Sequence, residues 1–239
     1  MTNMPKYAVV TGGTRGIGYA IANLLLKNGY DVLLGGQNQL RLDKAMLALS
    51  KIYPDRKVHG CVGNFLIPDE ITNFSKASLA LFPKIDVLVN NAGIFEADSS
   101  QPNNFLDLAK RLMEINNWSV VALTETLLPQ FIAQQSGHII NIESIASTNV
   151  LPNSVAYCIS KHALHAYTKG LRSQLAAHQI KVTAILPGAT YTDSWAGTDV
   201  NPNRFMHPND IALAVMGCLN MSAMACPETI VLRPQLGDL

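Results

Sequence analysis

The chain has 239 residues, of which 48% are hydrophobic and 15% are charged, and its formal net charge is +1. This composition supplies a sizeable core for one large α/β domain and excludes an intrinsically disordered chain. Because the charge is nearly neutral and no basic run stands out, we expect no nucleic-acid partner and no anionic membrane partner.

The amino-terminal residues and the cysteines bear on where the protein works. Residues Met1 to Lys6 lack the charged and apolar regions of a signal peptide, and no apolar run is long enough to span a bilayer. The four cysteines have no paired spacing, which argues against a disulfide framework and against a zinc site. We therefore expect a cytoplasmic protein without a membrane anchor and without a catalytic metal.

Short apolar runs alternate with longer helical patterns along the whole chain. The apolar runs predict strands at Tyr7–Val10, Asp31–Leu34, Lys57–Val62, Ile85–Val89, His138–Ile142, Ile180–Leu186 and Thr229–Leu232. The helical spacing predicts helices at Gly16–Lys27, Leu40–Ile52, Asp69–Leu81, Phe105–Gln134, Ser154–Ala177 and Pro208–Asn220. The strands are continuously apolar, as strands buried on both faces are. This alternation predicts an α/β fold, a doubly wound, seven-stranded parallel sheet with helices on both faces.

The segment from about residue 188 to 208 is the most loop-like part of the chain. It is rich in Thr, Asn, Gly and Pro and follows the sixth predicted strand. In an open α/β sheet, ligands bind outside the carboxyl ends of the strands. The position of this loop therefore predicts that it covers a substrate site within a single domain of residues 1–239.

The first strand runs directly into a glycine-rich turn from Thr11 to Gly18. Gly12 permits a tight turn, Gly16 lets the backbone approach a phosphate, and Gly18 lets the next helix pack near the sheet. A pyrophosphate can then bind free N–H groups at the helix N-terminus. Because the turn lies between a strand and a helix, we predict a dinucleotide site; the alternative is a tight βα turn without a ligand.

The end of the second strand indicates which dinucleotide binds. NAD-binding folds place an acidic residue there for the ribose 2′-OH, but the segment Leu33–Asn38 contains no Asp or Glu. Arg15 is suited to a 2′-phosphate, and Gln37 and Asn38 can add neutral hydrogen bonds. We therefore predict NADP(H) rather than NAD(H) as the cofactor; the alternative is that Arg15 is a solvated loop residue.

Six motifs follow one another in an order that resembles the short-chain dehydrogenase/reductase family, in its short single-domain branch. They are the turn T-G-x-x-x-G-x-G, the N-N-A-G of Asn90 to Gly93, Asn116, Ser144, the Y-x-x-x-K of Tyr157 to Lys161, and Pro187-Gly188 with Thr192. The resemblance covers essentially the whole chain. It implies a single Rossmann-fold domain that binds a nicotinamide cofactor.

The resemblance also implies roles for individual residues. Tyr157 would be the general acid in reduction and the general base in oxidation, and Ser144 would hydrogen-bond the substrate oxygen. Lys161 would bind the nicotinamide ribose, and Asn116 would hold a water of a proton relay. The implied cofactor-binding residues are Gly12, Thr14, Arg15, Gly16, Ile17, Gly18, Gln37, Asn64, Phe65, Asn90, Ala92, Gly93, Tyr157, Lys161, Pro187, Gly188 and Thr192. The structural alternatives are a helix-surface pair at 157 and 161, a cap at Ser144 and a satisfied buried amide at Asn116.

Tyr157 and Lys161 are four residues apart on a predicted helix, so they share a face. A tyrosine with its ordinary pKa of about 10 shuttles protons poorly at neutral pH. A nearby lysine cation favours the phenolate, so we expect the pKa of Tyr157 to be lowered.

Two positions depart from the pattern of the family. Asn64 stands where an Asp usually meets the adenine, and it can still offer an acceptor. Glu143 stands where a Ser often precedes the catalytic Ser, and it either pairs with a neighbour or shapes the pocket. The residues expected to line the substrate pocket, or else to belong to the core or an interface, are Ile94, Phe95, Ile145, Val150, Tyr191 and Trp195.

Together these features predict an NADP(H)-dependent oxidoreductase that interconverts a ketone or aldehyde and its alcohol. The substrate is a small molecule, and the resemblance implies a homodimer or homotetramer. Two alternatives stay open. One is a non-enzymatic redox sensor that binds NADP(H), although such relatives often lose the Tyr or the Lys. The other is an NAD-dependent alcohol dehydrogenase.

Overall fold

A computed structural model describes residues 5–100, 104–195 and 197–238, and these ranges contain one parallel sheet. The sheet has the order β3-β2-β1-β4-β5-β6-β7. Its strands are β1 (Lys6–Val10), β2 (Tyr30–Gly36), β3 (Val58–Val62), β4 (Val87–Asn90), β5 (Gly137–Ile142), β6 (Ile180–Pro187) and β7 (Thr229–Leu232). The predicted doubly wound Rossmann fold with a seven-stranded parallel sheet is thus confirmed.

The helices follow the predicted pattern with one difference. They are α1 (Gly16–Lys27), α2 (Gln39–Ile52), α3 (Pro68–Leu81), α4 (Phe105–Met113), α5 (Ser119–Gln134), α6 (Val155–Leu175) and α7 (Pro208–Leu219). The single helix predicted over 105–134 is wrong, because a π-helical segment, Glu114–Trp118, separates α4 from α5. Apolar periodicity does not report such a local widening of the helix, which is common at functional sites. No helix in the described ranges is both long and apolar enough to cross a membrane.

Each face of the sheet carries its own core. Val10 and its neighbours pack on one face against α1, α2 and α7, whereas the adjacent Val9 packs on the other face against α3, α5 and α6. Phe74 on α3 and Phe131 on α5 are fully buried in this second core. Burying such a side chain contributes about 2–3 kcal/mol, so the apolar runs seen in the sequence account for the two-sided burial of the strands.

The strand order places a crevice at the carboxyl end of β1. This strand pairs with β2 on one side and with β4 on the other, so the chain leaves the sheet centre in opposite directions. At such a switch point the loops after neighbouring strands diverge and leave room for a ligand. The glycine-rich turn after β1 and the N-N-A-G segment after β4 therefore meet at one edge of the sheet.

A buried histidine on β5 makes the fold sensitive to acid. His138 has its Nε2 2.7 Å from the hydroxyl oxygen of Thr183, which itself donates to the Pro227 carbonyl. The single hydroxyl hydrogen is thereby used, so Nε2–H of the neutral imidazole is the donor to Thr183. Burial, with a smaller contribution from Lys181, lowers the pKa of His138 to about 4.

This lowered pKa predicts a loss of stability between pH 6.5 and pH 4. Because the unfolded chain binds the proton more tightly, stability present above pH 6.5 is lost as the pH falls towards the folded pKa. We expect the free energy of unfolding to fall by about 2 kcal/mol more in the wild type than in His138→Gln between pH 7.5 and pH 4.5. Urea unfolding of both proteins at the two pH values measures this difference, and equal losses would contradict it.

Candidate active site

The glycine-rich turn shapes a cleft of about 350 Å³ at the carboxyl ends of β1, β2 and β4. Gly12 and Gly16 have φ values of 64° and 55°, a region that favours glycine. A Cβ on Gly18 would lie 2.3 Å from the carbonyl oxygen of Gly12, so α1 can start this close to the turn only with glycine there. The free N–H groups of α1 consequently face a concave surface, which fits a pyrophosphate.

Basic and neutral polar residues line the end of the cleft beside β2. Arg15, Gln37 and Asn38 lie there, and no carboxylate comes from the β2 side among the described residues. Arg41 also lines this end and was missed. Asn38 is the N-cap of α2, and its Oδ1 accepts from the Arg41 N–H at 3.0 Å. An Asn at this position in the sequence was a signal that Arg41 lies in the first turn of the helix.

An acidic residue reaches the same end of the cleft from the opposite wall. Asp193, in the loop after β6, forms an ion pair with Arg15. Both side chains are more than half exposed, at 54% and 65%, so the pair is weak and easily exchanged. Arg15 is therefore neither a simple solvated residue nor free to meet an anion without leaving Asp193.

The middle of the cleft is lined by the segments after β3 and β4. Asn64, Phe65, Ala92 and Gly93 all face it. The Oδ1 atom of Asn64 already accepts from the Leu66 N–H at 3.1 Å and keeps one lone pair for a further donor.

Asn90 is not one of the described residues that line the cleft. Its amide is buried and donates to Thr124 at 3.0 Å and to Asn141 at 2.8 Å. The next residue, Asn91, instead donates to the carbonyl oxygens of Thr11 and Gly12, which fixes the glycine turn. Side chains alternate along a strand, so Asn90 points away from the cleft and binds its neighbours on α5 and β5 instead.

A second cavity of about 210 Å³ adjoins the cleft, and Ile17 and Thr192 line both. Ser144 and Tyr157 lie in its wall, together with Pro187 and Gly188. Of the expected pocket residues, the structure places Phe95, Ile145 and Trp195 in this wall. Glu143 lines it as well, and the sequence analysis missed Ile142, Leu151, Ala189, Thr190 and Asp238.

The remaining expected pocket residues lie elsewhere. Ile94 lines the nucleotide cleft instead. Val150 is 66% exposed and lines neither cavity, and the ring of Tyr191 packs on Phe205 at 5.6 Å between centroids. Position in the chain indicated the right loops but not the direction of each side chain, which depends on the local turn.

The first turn of α6 holds Tyr157 in place. Asp98 caps this helix by accepting from the N–H groups of Val155 at 2.7 Å and Ala156 at 3.1 Å. The ring of Phe95 meets the Tyr157 ring edge-on at 5.0 Å between centroids. These contacts fix the phenol against the wall of the cavity, with its helix anchored by a carboxylate at the N-terminus, where the helix dipole favours it.

Lys161 lies beneath Tyr157 and is buried. Its Nζ atom is 5.8 Å from the centroid of the Tyr157 ring and donates to the Ile142 carbonyl at 3.3 Å. Burial lowers the pKa of Lys161 to about 8, and the Glu143 carboxylate opposes this shift.

The pKa of Tyr157 is shifted in the direction opposite to the expected one. Burial raises it to about 12, a hydrogen bond with Ser144 lowers it, and Cys158 adds a small further rise. The expected lowering is wrong for this structure, because the Lys161 ammonium lies over the ring and bonds a carbonyl rather than the phenol oxygen. Tyr157 therefore carries its proton at neutral pH.

Asn116 lies in the π-helical segment and is fully buried. Its amide accepts from the Ile94 N–H at 2.8 Å and donates to the Ile94 carbonyl at 2.9 Å and to Ser160 at 3.1 Å. Both amide hydrogens are thus used. A relay water at this residue would depend on the second lone pair of Oδ1 or on the backbone carbonyl.

Glu143 both pairs with neighbours and belongs to the wall of the second cavity. Its side chain has no exposed surface, and the carboxylate pairs with two neighbours on α6. One oxygen accepts from the Thr168 hydroxyl at 2.7 Å, and the other lies 2.8 Å from Nδ1 of His165.

Comparison with known proteins agrees with this arrangement. The model of the short chain dehydrogenase family matches residues 6–202. An uncharacterised oxidoreductase of Staphylococcus saprophyticus is 32% identical over 96% of this chain and 97% of its own length. A 3α-hydroxysteroid dehydrogenase of Mediterraneibacter gnavus is 34% identical over 79% of this chain and 75% of its own length.

A solved structure extends the comparison. A metagenomic short-chain oxidoreductase in complex with NADP superposes with a TM-score of 0.81 at 28% identity, covering 96% of this chain and 97% of its own. The fold, the family match and the relatives agree over nearly the whole chain. This protein belongs to the short-chain dehydrogenase family and is an oxidoreductase.

Proposed function

We propose that this protein is an NADP(H)-dependent oxidoreductase that interconverts a ketone or aldehyde and its alcohol, with Tyr157 as the general acid and base. The observation that carries the proposal is the contact between two cavities. Ser144 and Tyr157 line one, the glycine turn lines the other, and Thr192 and Ile17 belong to both. A nucleotide in the cleft would thus reach the wall where these hydroxyls lie.

The residues present fit a dinucleotide with a 2′-phosphate. Arg15 and Arg41 offer two guanidinium groups beside the neutral Gln37 and Asn38. Guanidinium groups bind phosphate with paired hydrogen bonds, and the absence of a carboxylate from the β2 side leaves a 2′-OH without its usual acceptor. The related oxidoreductase solved with NADP supports the same choice.

The chemistry of the site follows from the protonation states of its residues. When bound, the nicotinamide supplies or accepts the hydride. Tyr157 holds its proton at neutral pH because burial raises its pKa, so it can donate that proton to a carbonyl oxygen. Ser144 lines the same cavity and can hydrogen-bond that oxygen. Lys161 lies below the ring, and its charge would stabilise the phenolate that remains once the ammonium turns from the Ile142 carbonyl to the phenol oxygen.

The cavity wall favours a substrate with an apolar or aromatic body. Phe95, Ile145 and Trp195 surround the two hydroxyls, and Thr190 and Trp195 come from the loop of residues 188–208. This supports the role of that loop as a cover of the substrate site. A relative that is a 3α-hydroxysteroid dehydrogenase is consistent with an alcohol or carbonyl on an apolar skeleton.

Exposed apolar side chains support a homodimer or homotetramer. Phe105 and Leu106 on α4, Trp118 on the π segment and Ile159 on α6 are all exposed. The elements that carry these side chains pack against one another. A second copy of the chain would cover these side chains from water.

The first test is a fluorescence titration of the protein with NADPH and NADH, repeated on Arg15→Ala. We expect the wild type to prefer NADPH, and Arg15→Ala to raise the NADPH dissociation constant about 30-fold, since a charge-assisted hydrogen bond contributes about 2 kcal/mol. NADH affinity should change less than about twofold. Arg56→Ala, outside the cleft, is the control and should change neither affinity.

Asp193→Asn refines this test. The substitution frees Arg15 from its carboxylate partner, so NADPH binding should tighten by about two- to threefold, as expected for an exposed ion pair. A wild type that prefers NADH would overturn the choice of cofactor and favour the NAD-dependent alternative. Binding of NADPH without turnover of any carbonyl compound would favour the redox sensor.

A further inference from the structure

A chain of buried polar side chains runs from the wall of the substrate cavity, where Glu143 lies, into α6, and the proposed chemistry does not use it. Asn141 donates to the Thr168 hydroxyl at 2.8 Å, and Thr168 donates to Glu143 at 2.7 Å. The other carboxylate oxygen of Glu143 lies 2.8 Å from Nδ1 of His165, whose side chain is 14% exposed. Every oxygen of the Glu143 carboxylate thus has a partner, although the side chain is entirely out of contact with solvent.

This chain of polar side chains begins next to the residue whose backbone binds Lys161. The Ile142 carbonyl accepts from the Lys161 ammonium at 3.3 Å, and Glu143 is the next residue. Lys161 and His165 stand one turn apart on α6, so they face the end of β5 together. The Glu143 carboxylate bonds the imidazole of His165 and follows the residue whose carbonyl binds the ammonium, so it lies near the ammonium without a direct ion pair to it.

The other groups around Lys161 do not supply a negative charge. Tyr157 is on the same helix, and the centroid of its ring is 5.8 Å from Nζ of Lys161. It keeps its proton because burial raises its pKa. The loop after β4 contributes the neutral backbone of Gly93, and the π segment contributes the neutral amide of Asn116. Among the described residues, Glu143 is the acidic group that acts on the ammonium.

We propose that Glu143 is a positioning residue of the active site, whose carboxylate, fixed by Thr168 and His165, favours the charged form of Lys161 beneath Tyr157. This inference rests on the proposed function. Packing alone does not account for the charge, because a buried carboxylate costs desolvation energy that an apolar residue of similar volume avoids. Lys161 needs such a partner, since its own burial favours the neutral amine.

A direct test measures the charge of Lys161 without any turnover. Protein labelled with ¹³C at the lysine Cε is titrated by NMR, and the Lys161 signal is identified by its loss in Lys161→Arg. We expect a pKa of about 8 in the wild type. In Glu143→Gln, which keeps the volume and removes the charge, we expect it to fall by about one unit.

The pH profile of carbonyl reduction provides the second readout. Activity depends on charged Lys161, so kcat/KM at saturating NADPH should decline on the basic side. In Glu143→Gln this basic limb should move about one pH unit lower, which makes kcat/KM about fivefold lower than the wild type at pH 8. Glu125→Gln is the matched control. It removes the charge of a carboxylate that bonds another side chain of α6, Tyr167, and lies outside both cavities, so it should leave the limb unmoved.

The outcomes separate the two proposals. If Tyr157→Phe retains activity, the proposed function fails, whereas the NMR titration still tests the effect of Glu143 on Lys161. If Tyr157→Phe is inactive but Glu143→Gln leaves both the Lys161 pKa and the basic limb unchanged, this inference alone is wrong. Glu143→Ser is a second variant for the same measurements. Failure of both variants to fold also counts against the inference, because a positioning role requires that the fold tolerate loss of the charge.

Discussion

Tyr157→Phe should lower kcat for carbonyl reduction about 10³-fold and change the dissociation constant of NADPH less than about twofold. The substitution removes the phenol oxygen that carries the proton and keeps the ring that packs edge-on against Phe95. The other described hydroxyls in this wall belong to Ser144, Thr190 and Thr192, and the Thr190 hydroxyl already donates to the Gly188 carbonyl at 3.0 Å. Steady-state kinetics with NADPH and a fluorescence titration measure the two effects.

A second tyrosine on α6 provides the matched control. Tyr167 donates its hydroxyl to Glu125 at 2.9 Å and lines neither cavity. Tyr167→Phe removes the same atom from the same helix and should leave kcat within about twofold of the wild type, because no reacting group is lost. Near-normal turnover of Tyr157→Phe, or equal losses in the two variants, would show that Tyr157 is not the proton donor.

Gly18→Ala should abolish useful binding of both nucleotides and destabilise the protein. The added Cβ would lie 2.3 Å from the Gly12 carbonyl oxygen and 2.4 Å from Nδ2 of Asn91, so the backbone of the turn has to shift. The N–H groups at the start of α1 then no longer face a pyrophosphate. We expect dissociation constants for NADPH and NADH to rise by roughly 100-fold, and the free energy of unfolding to fall by about 2–4 kcal/mol.

Gly170→Ala tests whether this effect comes from the crowded turn rather than from the loss of a glycine. Apart from the adjacent backbone of α6 itself, no heavy atom lies within 4 Å of a Cβ placed on Gly170. Alanine at an open helical position should raise the free energy of unfolding by about 0.5–1 kcal/mol and leave nucleotide binding unchanged. Urea unfolding and the same titrations compare the two variants. Equal nucleotide affinity in Gly18→Ala and the wild type would mean that the turn does not hold a nucleotide.

The sequence was sufficient to predict the fold. Strands such as β1 and β6 are continuously apolar because helices cover both of their faces, and that pattern is local enough to be read directly from the residues. The glycine turn was equally readable, because the spacing from Gly12 to Gly18 is set by steric limits on the backbone. The interruption at Glu114–Trp118 was not readable, since the apolar spacing of the flanking helices continues across it.

The sequence also indicated which segments meet at the candidate site, but only the tertiary structure showed the direction and the electrostatics of each side chain. Asp193, which pairs with Arg15, belongs to a loop that is far away in the chain. Val150 is exposed to solvent, whereas its neighbour Leu151 lines the cavity. The pKa of Tyr157 is raised rather than lowered, because burial outweighs the hydrogen bond with Ser144. The partners of Glu143 come from successive turns of α6, which no motif records. Backbone patterns follow from local steric preferences and burial, whereas charges depend on distances and desolvation that arise only when distant segments pack together.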